Sequence, residues 1–478
     1  MRHGALAGLR RRSPVHGLDR RNLGPVEVLA QSVSSAAPAA GMATVPAIVA
    51  TSAGTSSVWS FLLATVLAVL VATCINRFTR RMAAAGSLYS LTAKGLGPGA
   101  AFACGAALLT GYAMLVMAAL TGAVIYLGAL VERLGTPVPA TVGAVTVLAL
   151  GGISAVLVLR GVRVSARIVL AVEAVSIVLM VVVFLVLLGA PPAAQPIGTG
   201  AGEAAGPAGI AAGVLPALAA FIGFEAAATL GVEARRPFVS VPRAVLGTAV
   251  LVGLLSLLAA HTQVVGFSGG LGGQPEPVVT LAAAQGLPWM VILLDIGIAT
   301  SFVACTLASA NALVRVLFSM GREGIAPRAL GATHRLYRTP HVAIAVALPV
   351  VTAVPAVLLA AEVPAQVALR GLLTVATAGY LIAYLLVCLA APLFLRRIGE
   401  LTAAPVVVSA VTVPALAGVC AAFVASALGG AVPVVLAVLA AAAAGWYLIL
   451  CRRRPAELAA IGVYDETSAA DVHLGRPA

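Results

Sequence analysis

Long apolar runs, separated by short polar connections, repeat along the whole chain. Twelve runs stand out, at about 26–50, 57–76, 99–130, 139–160, 164–190, 208–232, 241–266, 289–315, 341–361, 371–394, 405–428 and 431–450. Each is long enough to cross the hydrocarbon layer, which takes roughly 20 helical residues for about 30 Å. The runs do not alternate apolar and polar positions as membrane-barrel strands do. The pattern therefore predicts an all-α membrane protein with twelve transmembrane helices.

Two runs depart from a smooth helix. The first contains "SSAAPAAGM", Ser34 to Met42, with Pro38 and Gly41 among serines and alanines. The sixth contains "AFIGFEAAATLGVE", Ala220 to Glu233, with Gly223 between aromatics and the carboxylate of Glu225 at mid-depth. Both interruptions open a set of five runs, 1–5 and 6–10. An odd number of spans inverts the second set relative to the first, which predicts a 5+5 inverted repeat with broken helices 1 and 6. Paired interruptions in two inverted halves point to a secondary transporter with a binding site at mid-membrane.

Backbone chemistry gives the reason. A broken helix exposes N–H and C=O groups that must be satisfied by protein or by a cavity. One half-helix offers free N–H groups and a positive dipole end, suited to an anion. The other offers carbonyls, suited to an ammonium. A zwitterionic amino acid matches both. Pro38 removes a donor, while Ala36, Ala37, Ala39, Ala40 and Gly41 keep side chains out of a ligand's way. Small residues also serve close helix packing, the alternative reading of either stretch alone.

Composition sharpens this. The 478 residues are 61% hydrophobic and 9% charged, too few charges to cover a water-soluble protein of this size. The net charge of +13 raises nucleic acid as a partner, but the basic residues fall between the apolar runs and mark topology instead. Arg77, Arg80, Arg81 and Lys94, then Arg160, Arg163 and Arg167, then Arg235, Arg236 and Arg243 lie on one side. Arg315, Arg322, Arg328, Arg335 and Arg338, then Arg396 and Arg397, then Arg452 to Arg454 continue the series; Arg133 and Arg370 stand opposite. The positive-inside rule places both termini in the cytoplasm of a multi-pass protein of the cytoplasmic membrane. The organisation expected is a cytoplasmic basic arm (1–24), a first five-helix repeat (25–190), a second (208–394), helices 11 and 12 (395–451) and a cytoplasmic tail (452–478). The arm has no apolar core with a cleavage site, so it does not read as a signal peptide. The six cysteines are scattered without a Cys/His cluster, so neither a disulfide framework nor a metal site is expected, and no cofactor.

Three stretches resemble the amino acid–polyamine–organocation (APC) superfamily of permeases. "AAAGSLYSLTAKGLGP" is similar to its Ala-Gly-Ser-x-Tyr element before Gly-Pro. "FIGFEAAATLGVEARRPFVSVPRA" resembles its Phe-x-Gly-Phe-Glu core with a Pro-x-x-x-x-Pro-Arg-Ala end, and "ASANALVRVLFSMGREGIAPRAL" its Ser-x-x-x-x-x-Arg to Gly-Arg-Asp-Gly-x-x-Pro stretch. The resemblance implies a leucine-transporter-like fold and transport by alternating access. It implies substrate contacts at Ser35, Ala36, Ala37, Ala39, Ala40 and Gly41, and at Phe221, Ile222, Gly223, Phe224 and Glu225. Phe224 would be a lid over the substrate or an ordinary core aromatic. The chain departs from the family at the first break, where Ala39-Ala40-Gly41-Met42-Ala43 stands for Gly-Ser-Gly-Ile-Phe. An Asn-Pro common after the sixth span is Arg236-Pro237 here, and Ser176 occupies the place of a fifth-span lysine.

Ionisable residues at membrane depth are functional candidates by default. Glu225 suits gating and structure, or contact with substrate or a proton. Glu173, in the fifth run, is a candidate proton carrier or a carboxyl paired with a neighbouring helix. Asp295 and His261 are expected near helix ends, solvated or hydrogen-bonded. Ser309 offers an oxygen to a cation such as Na+, or bonds back to its own helix. The expected function is proton-coupled uptake of a neutral or small amino acid. Polyamines and amino acid exchange are alternatives, and a channel or a non-transporting sensor on the same fold is the reading from another class. An intramembrane enzyme would need paired Asp, HExxH or GxSxG groups, which the chain lacks.

Overall fold

The computed structural model describes residues 17–136, 139–189, 205–268, 270–286, 288–427, 431–462 and 464–465. Its helices are α1 (Pro25–Ala36), α2 (Pro38–Ala53), α3 (Ser57–Thr79), α4 (Leu88–Leu96), α5 (Pro98–Arg133), α6 (Ala140–Arg160), α7 (Val162–Gly189) and α8 (Pro207–Leu218). After a 3-10 turn at Ala226–Leu230 come α9 (Pro237–Phe267), α10 (Pro277–Ala284), α11 (Pro288–Glu323), α12 (His341–Ala360), α13 (Ala365–Arg397), α14 (Ala403–Ala427), α15 (Ala431–Arg453) and α16 (Pro455–Ala459). Among the described residues there is no β-strand; an isolated parallel bridge joins Leu23 and Ala234.

Eleven helices among the described residues are long and apolar enough to cross a membrane, with α1 and α2 together forming the first, Pro25–Ala53. This is a multi-pass membrane protein. Eleven of the twelve expected spans appear as such helices among the described residues. The difference lies in the sixth run: α8 stops after 12 residues, and turns and the 3-10 segment follow. An α-helix rises 1.5 Å per residue, so α8 reaches only about 18 Å.

The long helices α5 and α11 pack against each other, and α13 packs along α5. Each of α5 and α11 has 36 residues. That is about 54 Å of helix, more than the hydrocarbon thickness, so each tilts or projects beyond it. One apolar cluster runs through the bundle from Leu23 to Ile461. Peripheral helices keep aliphatic side chains exposed: Val145 on α6 is 64% exposed, Val175 on α7 68%. Outward aliphatic surface on a bundle with a buried polar interior is what lipid contact requires.

The longer helices correct the reading of two basic residues. Arg315 and Arg322 are not in a loop, because α11 continues to Glu323. Arg315 is buried. The short helices α4, α10 and α16 are additions that the apolar runs do not predict. The expected arm and tail lie outside the described residues at 1–16, 463 and 466–478, as do 190–204 between the two expected repeats.

Candidate functional site

The first break forms at Ala37, whose backbone is left-handed (φ 45°) between α1 and α2. The cause is Pro38. Its ring has no N–H to continue the ladder, and it drives the preceding residue out of the α region. Helix α2 then starts with three donors. Ala39 N–H donates to Glu173 Oε1 at 3.3 Å, and Ala40 N–H to Ser301 Oγ at 3.2 Å. Gly41 N–H bonds to the Ala37 carbonyl at 2.9 Å. Ser301 Oγ also donates to Glu173 Oε1 at 2.9 Å. Glu173 is fully buried, and its Oε2 has no hydrogen-bond partner.

The second break follows α8. Gly223 has φ 93°, a conformation that glycine alone adopts at little cost. A Cβ there would stand 2.5 Å from Ser35 Oγ and 2.8 Å from the Ser35 carbonyl oxygen. The backbones of the two interrupted segments therefore touch. Ser32 joins them further: its hydroxyl donates to the Phe224 carbonyl at 2.7 Å and accepts from Ala227 N–H at 3.2 Å. Glu225 is fully buried between two tyrosines. Tyr112 OH donates to its Oε1 at 2.7 Å, and Tyr384 OH to its Oε2 at 2.6 Å. Phe224 is buried too, its ring 5.4 Å from that of Tyr384.

A small cavity of about 40 Å³ lies where the breaks meet. Ala36, Ala37, Ala40 and Gly41 line it from the first break, and Ile222 from the second. Its remaining wall is apolar apart from Thr44 and Cys305, and includes Leu115, Phe302 and Leu373. Ala39 faces Glu173, and Ser35 bonds to Ser309 on α11 (Oγ to Oγ 3.0 Å). Phe221, Gly223, Phe224 and Glu225 do not line the cavity. A second cavity of about 60 Å³ shares Ala219 and Leu373 with the first and reaches Arg370. Ser176 donates to the Val172 carbonyl of its own helix at 3.0 Å. No group of three His, Cys, Asp or Glu suited to a metal exists among the described residues.

On the arginine-rich side the two interrupted segments are bolted together. Arg21 and Asn22 N–H groups donate to the carbonyls of Val232 and Glu233, and Arg235 N–H to that of Leu23. Arg315 Nη2 grips both oxygens of Glu233, at 2.9 and 2.8 Å, with both side chains buried. On the opposite side Arg133 bridges Asp295 (2.7 Å) and Glu276 (2.6 Å). Asp295 is thus buried and ion-paired rather than solvated, while His261 is exposed. Burial pushes the Glu276 carboxyl above its usual range, and the Arg133 charge partly offsets that.

A family model, "Amino acid permease", matches residues 27–450. The chain belongs to the amino acid permease family. The branched-chain amino acid permease BcaP of Bacillus subtilis is 26% identical over 62% of this chain and 66% of its own length. BcaP of Lactococcus lactis is 29% identical over 58% of this chain and 63% of its own. A methylthioribose transporter of B. subtilis is 24% identical over 61% and 65% respectively. The chain thus spans just under two thirds of the length of these relatives. The permease match also covers both interrupted segments.

Sequence reasoning missed Ser301, Tyr112 and Tyr384. The tyrosines carry a faint signal, polar hydroxyls far inside the apolar runs of α5 and α13. Ser301 carries none, because serines recur throughout such helices.

Proposed function

We infer that this permease carries a neutral, branched aliphatic amino acid across the cytoplasmic membrane by alternating access, driven by the proton gradient. The observation that carries the reading is the meeting of two helix breaks at an apolar cavity. Once released from their present partners, the main-chain groups there suit an amino acid's carboxylate and ammonium. The apolar wall, which must open from its present volume of about 40 Å³ to admit a ligand, suits an aliphatic side chain. No carboxylate lines the cavity, which argues against a polyamine. Thr44 is the one lining side chain with a hydroxyl, which argues against a sugar-like substrate. The names of the two BcaP relatives favour the same class.

In this reading the chain has twelve spans in two inverted sets of five plus two. The broken sixth segment is the span that eleven helices leave out, and both termini lie on the arginine-rich, cytoplasmic side. Residues 25–190 and 208–394 are the repeats, 395–451 helices 11 and 12, 1–24 the arm and 452–478 the tail. The substrate contacts in this reading are the cavity-lining Ala36, Ala37, Ala40, Gly41 and Ile222, joined by the Ala39 N–H; Ser35, Phe221, Gly223, Phe224 and Glu225 hold the two breaks around them. The Arg315–Glu233 pair closes the cytoplasmic side. Glu173 carries the proton; the alternative, a cation between Ser35 and Ser309, is supported by the serine pair alone, since Ser176 lies against Thr300, about 13 Å along α11 from Ser309.

Counterflow of labelled leucine in proteoliposomes tests the transport. Accumulation against unlabelled internal leucine is expected, and its absence overturns the reading, leaving a sensor or channel. For topology, Arg454→Cys and Arg322→Cys are expected to resist an external impermeant thiol reagent, and Gly273→Cys to react. External labelling of Arg454→Cys would overturn the orientation.

A further inference from the structure

The N-terminus of α2 already holds a carboxylate. Its first three donors are all engaged: Ala39 with Glu173, Ala40 with Ser301, Gly41 with the Ala37 carbonyl. The helix has 16 residues, so its N-terminus carries a full positive dipole end. Glu173 is fully buried and its second oxygen has no partner. An amino acid entering the adjacent cavity brings its own carboxylate to the same donors. Two carboxylates at one helix end in a low dielectric repel strongly, and one of them must be neutral.

We propose that Glu173 and the substrate carboxylate compete for the N-terminus of α2, so that each substrate binds only as Glu173 takes up a proton. The proposal rests on the reading of the chain as an amino acid permease. The neutral Glu173 acid can turn its O–H toward Ser301 Oγ, reversing their present hydrogen bond. Ala39 N–H is then free for the incoming carboxylate. On release the substrate leaves the donors, Glu173 returns to Ala39 N–H, and the proton departs. Coupling thus comes from exchange of two like charges at one site, without a relay between separate sites.

The surroundings of Glu173 isolate this titration. The elements packed against α7 are α1, α2, α6, α9, α10 and α11. Helices α2 and α10 carry no charged residue. Glu27 on α1 is paired with Arg167 of α7, near the arginine-rich end. Helix α6 offers Arg160, and α9 offers Arg243 and the exposed His261. On α11, Asp295 is paired with Arg133, Arg315 with Glu233, and Glu323 bonds to Tyr89 OH; Arg322 lies at the far end. The α11 thiol of Cys305 is turned to the Ser35 carbonyl (3.2 Å). None of these forms an ion pair with Glu173 among the described residues.

Calorimetry of ligand binding to the full chain, in two buffers of different ionisation heat, counts the protons taken up. For leucine we expect about one proton per molecule bound. For leucinol, which lacks the carboxylate, we expect none. Glu173→Gln should bind leucine with no proton uptake, and at pH 8 at least about tenfold more tightly than the wild type. Equal proton uptake with leucine and leucinol overturns the competition, as does uptake that persists in Glu173→Gln. The leucinol comparison needs no variant, so it decides even where Glu173→Gln does not fold. Leucine counterflow with no proton taken up on binding overturns this proposal and leaves the permease reading intact. Absence of counterflow overturns both.

Discussion

At the first break the stabilising carboxylate comes from another helix, Glu173 of α7. At the second it belongs to the broken segment itself, Glu225. Glu173 is held by one backbone N–H and one serine, with an oxygen to spare. Glu225 has a tyrosine hydroxyl on each oxygen. In the exchange proposed above, the first arrangement gives up only the Ala39 N–H, because the Ser301 bond is reversed and not lost. The second is a fixed joint that anchors the interrupted segment to α5 and α13. Under the proposed function, two breaks of similar sequence character thus divide the labour, one toward binding and one toward rigidity.

The largest effect is expected where that rigid joint is cut. Glu225→Ala leaves the hydroxyls of Tyr112 and Tyr384 buried without an acceptor, each costing about 1–3 kcal/mol. A thermal melt should show strong destabilisation, and leucine uptake should vanish. Glu225→Gln keeps an acceptor for one tyrosine and turns its NH2 to the hydroxyl oxygen of the other, so it should lose less stability than Glu225→Ala. If Glu225→Ala melts like the wild type, the distinction between joint and site fails.

Gly223→Ala comes next. The new Cβ meets Ser35 at 2.5 Å, on a backbone with φ 93°. Strain of this kind costs about 1–3 kcal/mol. Both the melting temperature and the uptake rate should fall, the rate by about tenfold or more.

Gly41 separates binding from stability. Its missing Cβ would find Ala220 Cβ at 3.8 Å, an ordinary contact beside the cavity. Gly41→Ala should keep uptake within about a factor of two, since such a contact costs well under 1 kcal/mol. Gly41→Leu fills the cavity. Its uptake should drop at least about tenfold, equivalent to roughly 1.4 kcal/mol. Expression and melting should stay near wild type, because leucine suits a membrane helix. Normal leucine uptake by Gly41→Leu would remove this stretch from the binding site and erase the contrast with Gly223.

Much of this is legible in the amino-acid sequence. The apolar runs locate the crossing helices to within several residues, because hydropathy is a local property of the chain. Pro38 and Gly223 mark both breaks, because a missing N–H and a left-handed backbone are also local properties. Glu173 and Glu225 stand out as rare charges at depth. The reach of α11 to Glu323 is less legible, since Arg315 reads as a topological marker until its partner Glu233 is known.

The order of residues settles which segments enter the membrane and where two of them cannot remain helical. Packing of the helices settles which groups satisfy the donors and acceptors that those breaks expose. Ala39 and Glu173 are 134 positions apart, Ala40 and Ser301 261, and Glu225 and Tyr384 159. Nothing in the spacing of these residues announces their meeting. Buried donors and acceptors must find partners, but which ones they find depends on how the helices pack, and that is decided across the bundle and not along the chain.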